Sequence, residues 1–244
     1  MPWREIHRTE NDNVEEKEMI KPALTLLVIV VLSVIPSQSA WTFPIGFSGH
    51  GGIGMGYYSM KELNDHINIT GQTIHTSFPD LSNGINLKLE GRVWFFERFA
   101  ITGGYEHYYG ETEGATEEAT LMFKAPANVY TVGGVLKVIS FPVSVDLHIG
   151  GYVCFARSVY GTNEEGSRRL AEFKGNENGY QLFAEAATNF IRPLEFGIQL
   201  GYRGLKIKSF EDRYGDIAHF PTTRDRIQLD YSGVFFYVTA GFRI

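Results

Sequence analysis

The chain has 244 residues, a net charge of −6 and 14% aromatic residues. That composition excludes a disordered tail and offers no basic excess to attract a nucleic acid. Abundant Gly (27), Phe (18) and Tyr (13) beside 9 Pro favour strands and turns over helices.

Residues 1–18 carry Glu5, Glu10, Asp12, Glu15, Glu16 and Glu18 against Arg4, Arg8 and Lys17. An export signal begins with positive charge, so this segment reads as an over-extended N-terminus, with translation starting at Met19. A peptide spanning Met1 to Glu18 in a precursor whose signal cleavage is blocked would refute that hypothesis. Residues 19–40 have the layout of a cleaved signal peptide: Lys21, an apolar run from Ala23 to Ile35, and the small residues Ser37, Ser39 and Ala40. The run falls short of the roughly 20 residues that cross a bilayer as a helix. The single cysteine, Cys154, cannot form an internal disulfide, and no cysteine ends the signal to carry a lipid.

Residues 41–244 form one domain in which apolar residues recur at alternate positions. Strand one sets Phe47, Ile53, Met55 and Tyr57 on one parity, and residues 59–82 follow as a long loop rich in turn formers. Strand two alternates Ile85, Leu87, Leu89, Gly91, Val93 and Phe95 against Asn86, Lys88, Glu90, Arg92 and Trp94. A tight turn at Phe96-Glu97-Arg98 leads to strand three, with Phe99, Ile101, Gly103 and Tyr105 outward, and a second loop spans Glu111 to Pro126. Strands four (Tyr130 to Val138) and five (Val143 to Phe155) meet at Ser140-Phe141-Pro142, and a charged loop spans Gly161 to Asn178. Strands six (Tyr180 to Phe190) and seven (Leu194 to Tyr202) turn at Arg192-Pro193, and a fourth loop covers Lys208 to Arg226. The closing strand, Tyr231 to Ile244, sets Val234, Phe236, Val238, Ala240, Phe242 and Ile244 against Gly233, Tyr237, Thr239, Gly241 and Arg243.

Connections alternate long and short, as an up-and-down antiparallel barrel in an outer membrane requires. Eight strands put both termini on the periplasmic side and the long loops outside. The apolar parity carries Phe47, Phe95, Phe99, Phe190, Phe196 and Phe242 at one end and Tyr57, Tyr105, Tyr130, Tyr180 and Tyr202 at the other. Two aromatic girdles around an aliphatic band are expected where rings sit between lipid and water.

On these features the chain resembles the small eight-stranded outer-membrane barrels of Gram-negative-type bacteria, the class that includes the OmpA membrane domain, OmpX and OmpW. The resemblance implies a bacterial outer-membrane location, a lipid-embedded monomer, and a final strand recognised by the barrel insertion machinery. Phe242 stands two residues before the terminal Ile244, and Thr239 stands where that signal commonly has glycine.

The inward parity carries Lys88, Arg92, Lys137, Arg203 and Arg243 with Glu90, Glu106, Asp146, Glu185 and Glu195, five of each sign, and His148 beside them. An eight-stranded barrel is just wide enough for side chains to fill, and charges removed from water need partners. An ion-paired plug is therefore expected, with a gate over a narrow porin-like pore as the alternative. Conduction of small hydrophobic molecules, which resemblance to OmpW suggests, would want an apolar lumen. Gly49-His-Gly51-Gly-Ile-Gly54 fits a dinucleotide fingerprint only in letters, because no helix follows it. His75 and Ser77 fall in loop one and His107 has no serine beside it, so a lipid-modifying enzyme is the remote alternative. No Cys/His grouping suggests a metal and no cofactor is implied. Asn68-Ile-Thr70 matches a glycosylation acceptor, which means little in a bacterial barrel. Arg168, Arg169, Arg213, Arg224 and Arg226 in loops three and four are candidates for pairing with lipopolysaccharide phosphates or host polyanions. Solvated loop charges are the plainer account of them.

Overall fold

The computed structural model describes residues 45–244 except 116–119, 143, 165–170, 192, 213 and 221–223; the side chains at 162–164, 171–172 and 189–191 also fall outside it. The expectations for residues 1–18 and 19–40 therefore lie outside the described residues, as do Arg168, Arg169, Arg192, Arg213 and the Phe190 ring.

Eight long strands form the wall: β1 (Ile45–Tyr57), β2 (Asn83–Phe95), β3 (Phe99–Tyr108), β6 (Ala127–Phe141), β7 (Val145–Glu164), β8 (Ala171–Ile191), β9 (Leu194–Gly204) and β12 (Gly233–Arg243). Each pairs antiparallel with its neighbour in the order β1-β2-β3-β6-β7-β8-β9-β12. The ring closes where Ser48 meets Arg243 and Gly56 meets Phe235. Alternation turns one parity outward: Leu89 is 63% exposed, Leu182 60% and Ile53 57%, while their neighbours Glu90, Gln181 and Gly54 are buried. A water-soluble sheet would bury that aliphatic parity; here it is the outside of the molecule. Among the described residues no helix is long and apolar enough to cross a membrane.

Short turns join the strands at one end. The first bends through Phe96 (φ 53°) and Glu97 (φ 56°), left-handed conformations that favour Gly or Asn. Two ladders carry irregular pairings, between Lys137 and Ile139 and between Thr188 and Ile191. After the first of these both Val138 and Ile139 face outward, so simple parity ends at Lys137.

The other end differs from the expectation of four open loops. Residues 59–82 contain a helix, α1 (Lys61–Thr73), despite Asn64, Asn68 and Gly71. Its buried positions Leu63, His66, Ile67 and Gly71 recur at three and four residues, one stripe of a helix. The second loop contains the hairpin β4 (Glu111–Ala115) and β5 (Thr120–Lys124), and β5 pairs with β7. Strands β7 and β8 run past the barrel into the third loop, pairing as far as Thr162 with Ala171. The fourth loop contributes the short pair β10 (Lys206–Ile207) and β11 (Leu229–Asp230).

These pieces close over an apolar cluster continuous with the buried aromatics of the barrel. Phe78 meets Phe123 edge-on at 5.2 Å, His66 stacks on Phe220 at 4.5 Å, and Tyr160 meets Phe220 edge-on at 5.9 Å. Leu63, Ile67, Leu81, Phe210, Ile227 and Leu229 are buried in the same cluster. Polar ties cross between connections: Thr76 Oγ1 donates to the Ala115 carbonyl at 2.6 Å and Thr112 Oγ1 to that of Pro79 at 2.8 Å. Lys206 and Gln228 both donate to Glu62, at 3.0 and 3.1 Å. The mouth of the barrel thus carries a folded head.

Candidate functional site

Inside the wall, the inward parity stacks in layers. Nearest the short turns, Asp146 lies 3.3 Å from Lys137 and 3.8 Å from Arg243, and the Arg243 guanidinium sits 4.4 Å from the Trp94 ring. Trp94 Nε1 donates to Ser48 Oγ at 3.0 Å, and His50 Nε2 lies 2.9 Å from Glu195.

The central layer spans the barrel. Arg92 on β2 reaches Glu185 on β8, four strands around the ring, through Nη1 at 2.7 Å and Nη2 at 2.5 Å. Its Nε also holds Glu90, whose other oxygen takes Lys88 at 2.6 Å and the Tyr152 hydroxyl at 2.6 Å. His148 Nδ1 lies 3.2 Å from Glu185, and Lys88 donates to Gln199 at 2.8 Å. Removing water from such charges costs several kcal/mol each, which bidentate pairing offsets.

Toward the head, Glu106 Oε2 accepts from Tyr108 at 2.6 Å, Gln181 at 2.9 Å and Tyr237 at 3.1 Å. Arg203 stands 4.0 Å from the same oxygen, stacks over the Tyr108 ring at 3.9 Å, and donates from Nε to the Tyr231 carbonyl at 2.9 Å. The Tyr58 hydroxyl and Asn86 amide hydrogen-bond at 2.5 Å above it. The eleven inward residues named from the sequence therefore all face the lumen, Lys137, Asp146 and Arg243 half-buried and the others buried.

The inward parity also carries an aromatic filling that a count of its charges leaves out. Trp94, Tyr108, Tyr152, Phe183, Phe235 and Tyr237 project inward and are buried among the charges. They lie on the charge-bearing parity, a signal available in the sequence. Their rings replace solvent around the ion pairs, and Lys88 lies within 4.9 Å of the Tyr152 ring and 5.4 Å of the Phe183 ring.

The outer face carries the girdle rings Phe47, Phe95, Phe99, Phe196 and Phe242 toward the short turns and Tyr57, Tyr105, Tyr130, Tyr180 and Tyr202 toward the head. His75 lies after α1 and His107 on the outer face against Asn128, so the histidines weighed for catalysis occupy separate places. Gly49 to Gly54 lie within β1, paired on both sides. Among the described residues no group of three His, Cys, Asp or Glu is arranged to hold a metal ion.

No protein-family model matches the chain, and no curated protein matches its sequence. Among solved structures, it is similar to a major outer membrane protein from Thermus thermophilus, at 11% identity and a TM-score of 0.48, covering 82% of this chain and 99% of that one. It is similar to Ail, the attachment invasion locus protein of Yersinia pestis, in complex with the heparin analogue sucrose octasulfate: 10% identity, TM-score 0.47, 82% and 98% covered. For the outer membrane protein OprG from Pseudomonas aeruginosa the values are 8%, 0.43, 82% and 95%. At such identities and scores no residue role passes from those proteins to this chain. Its own strand pairing makes it a closed eight-stranded antiparallel barrel with an apolar exterior and a polar, side-chain-filled interior.

Proposed function

We propose that the chain is an integral bacterial outer-membrane protein whose barrel is a closed scaffold presenting a folded surface head, without conducting solutes and without catalysis. An exterior with aliphatic residues 40–63% exposed, from Leu87 to Leu89, between two aromatic belts, supports insertion in lipid. Short turns at one end and the head at the other support periplasmic termini and an outward head, since outer loops are the longer ones in such barrels. The observation that carries the closed reading is the layered filling from Arg243 and Trp94, through Arg92 and Glu185, to Arg203, beneath the packed head.

Planar-bilayer recording of the refolded protein tests it. No unitary conductance is expected, and none should appear in Glu90→Ala or Lys88→Ala. Reproducible single-channel steps in the unmodified protein would overturn the closed scaffold in favour of the narrow channel.

A further inference from the structure

Beyond the tyrosine girdle the outside of the barrel is not uniform. On four consecutive wall strands the outward residue next beyond the last exposed ring is polar or charged: His107 beyond Tyr105, Asn128 beyond Tyr130, Arg157 beyond Phe155, which lies outside the tyrosine set, and Asn178 beyond Tyr180. His107, Asn128, Arg157 and Asn176 are direct cross-strand partners, one continuous row. The Tyr105 hydroxyl donates to Asn128 Oδ1 at 2.7 Å and His107 Nδ1 lies 2.7 Å from the same oxygen, which leaves the Asn128 amide nitrogen to donate elsewhere. Arg157 is exposed and has no ion-pair partner among the described residues; the same holds for Lys174, farther along that face of β8.

On the other four strands the outward residue next beyond the girdle is uncharged among the described residues. Gly204 follows Tyr202, Ser232 precedes Val234, Ser59 follows Tyr57 and Asn83 precedes Ile85. Lys206, the nearest cation on that side, is held by Glu62 at 3.0 Å, and Lys208 lies farther out, exposed.

A second feature lies on the same four strands, deeper in the apolar band. A shallow groove of about 450 Å³ is lined by Phe99, Leu136, Ile149 and Leu182 and floored by Gly134 and Gly151, which are register partners. Arg157 and Gly151 are six residues apart along β7, roughly 20 Å of strand. At a tilt of roughly 40° that is about 15 Å of depth, half the hydrocarbon core of a bilayer and so the reach of one leaflet.

We propose that this flank docks one phosphate-bearing lipid of the outer leaflet: Arg157 and Lys174 meet its phosphate, Asn128 and Asn176 donate to its headgroup, and an acyl chain lies over Gly134 and Gly151. Charge complementarity selects the phosphate, because paired cations flanked by amide donors suit a multivalent anion and give a zwitterionic headgroup less. The inference rests on the outer-membrane reading.

Native mass spectrometry of the full chain in detergent micelles tests it, with diphosphorylated glucosamine-disaccharide lipid (lipid A), phosphatidylcholine, and inorganic phosphate as competitor. One lipid A is expected to remain bound, retained about tenfold over phosphatidylcholine, the factor set by one net charge-assisted hydrogen bond. Arg157→Gln with Lys174→Gln should lower lipid A retention about tenfold, by the same factor. Lys61→Gln, which removes a cation in the head, should leave retention unchanged. Gly151→Leu, whose added carbon meets the Leu182 side chain, should weaken both lipids alike. Equal retention of phosphatidylcholine would overturn the proposal in favour of a groove alone, and displacement by millimolar phosphate would overturn it in favour of a free-anion site. Unchanged retention in the double variant would also overturn it. Gel mobility before and after boiling reports folding in each sample. A folded, detergent-requiring barrel without lipid A preference defeats this inference alone, whereas a chain soluble without detergent defeats the membrane reading as well.

Discussion

Glu185 shows how a buried charge in this lumen depends on its neighbours. It takes both terminal nitrogens of Arg92 and faces His148, with 2% of its side chain exposed. Substituting Glu185 with Ala leaves Arg92 and Lys88 to share Glu90 in a water-poor interior and should cost about 3–5 kcal/mol. Changing Arg92 to Met and Glu185 to Leu together should cost far less, because no charge is then left alone. Urea titrations of the refolded protein in micelles compare the two, and equal midpoints would contradict the account. His66 sits in the head, outside the wall, and burial against Phe123 and Phe220 lowers its pKa from 6.5 to about 4. The native head therefore favours neutral imidazole. That contribution is fully present above pH 6.5 and is lost as pH falls toward about 4. Amide exchange in α1 should quicken across that window, and His66→Phe should flatten the response.

At the scale of elements, the closing seam between β1 and β12 depends on glycine. A Cβ at Gly54 would fall within 2.0 Å of the Phe236 carbonyl oxygen, a backbone atom that cannot step aside, whereas one at Gly51 meets only Leu89 at 3.7 Å. Gly54→Ala should thus impair closure, seen as loss of the heat-dependent gel shift, while Gly51→Ala should fold normally. The first turn invites the opposite change. Glu97 at φ 56° bears a left-handed penalty that Asn tolerates better, so Glu97→Asn should raise stability by about 0.5–1 kcal/mol in the same titration. The wall strands were legible because one face meets apolar surroundings and the other does not, and that contrast writes a period of two into Ile85 to Phe95. The helix α1 was not, because Asn64, Asn68 and Gly71 read as turn formers and its stripe of Leu63, His66 and Ile67 is short. Leu81, Phe123, Phe210, Phe220 and Leu229 were the overlooked sign, since purely solvated loops have no use for so many apolar side chains. Parity likewise assigned Lys88, Glu90, Arg92 and Glu185 to one face, but which of them pair depends on the ring order of strands far apart in sequence.

The buried interior of the molecule is continuous but has two parts of different kinds, an ionic and aromatic column inside the wall and an apolar cluster in the head. They share Tyr58 and Tyr231, whose rings meet edge-on at 5.5 Å, and the Tyr231 hydroxyl donates to the Ala125 carbonyl at 2.7 Å. Because the wall has its own hydrogen-bonded ladders, the head should melt without it. Ile67→Ala, at a side chain 1% exposed, should destabilise the head by about 2–5 kcal/mol while the boiled and unboiled gel mobilities stay distinct.

The diametric span of Arg92 and Glu185 bears on how the protein enters its membrane. Strands β2 and β8 lie on opposite sides of the ring, as do β3 and β9, which bring Glu106 toward Arg203. A hairpin carrying β8 into hydrocarbon by itself would take Glu185 in without Arg92, its counterpart on β2, at a cost of several kcal/mol. Partial assemblies are thereby penalised until the last seam joins. The network then acts as a proofreading device: only a ring closed in the native strand order brings every crossing charge to its mate.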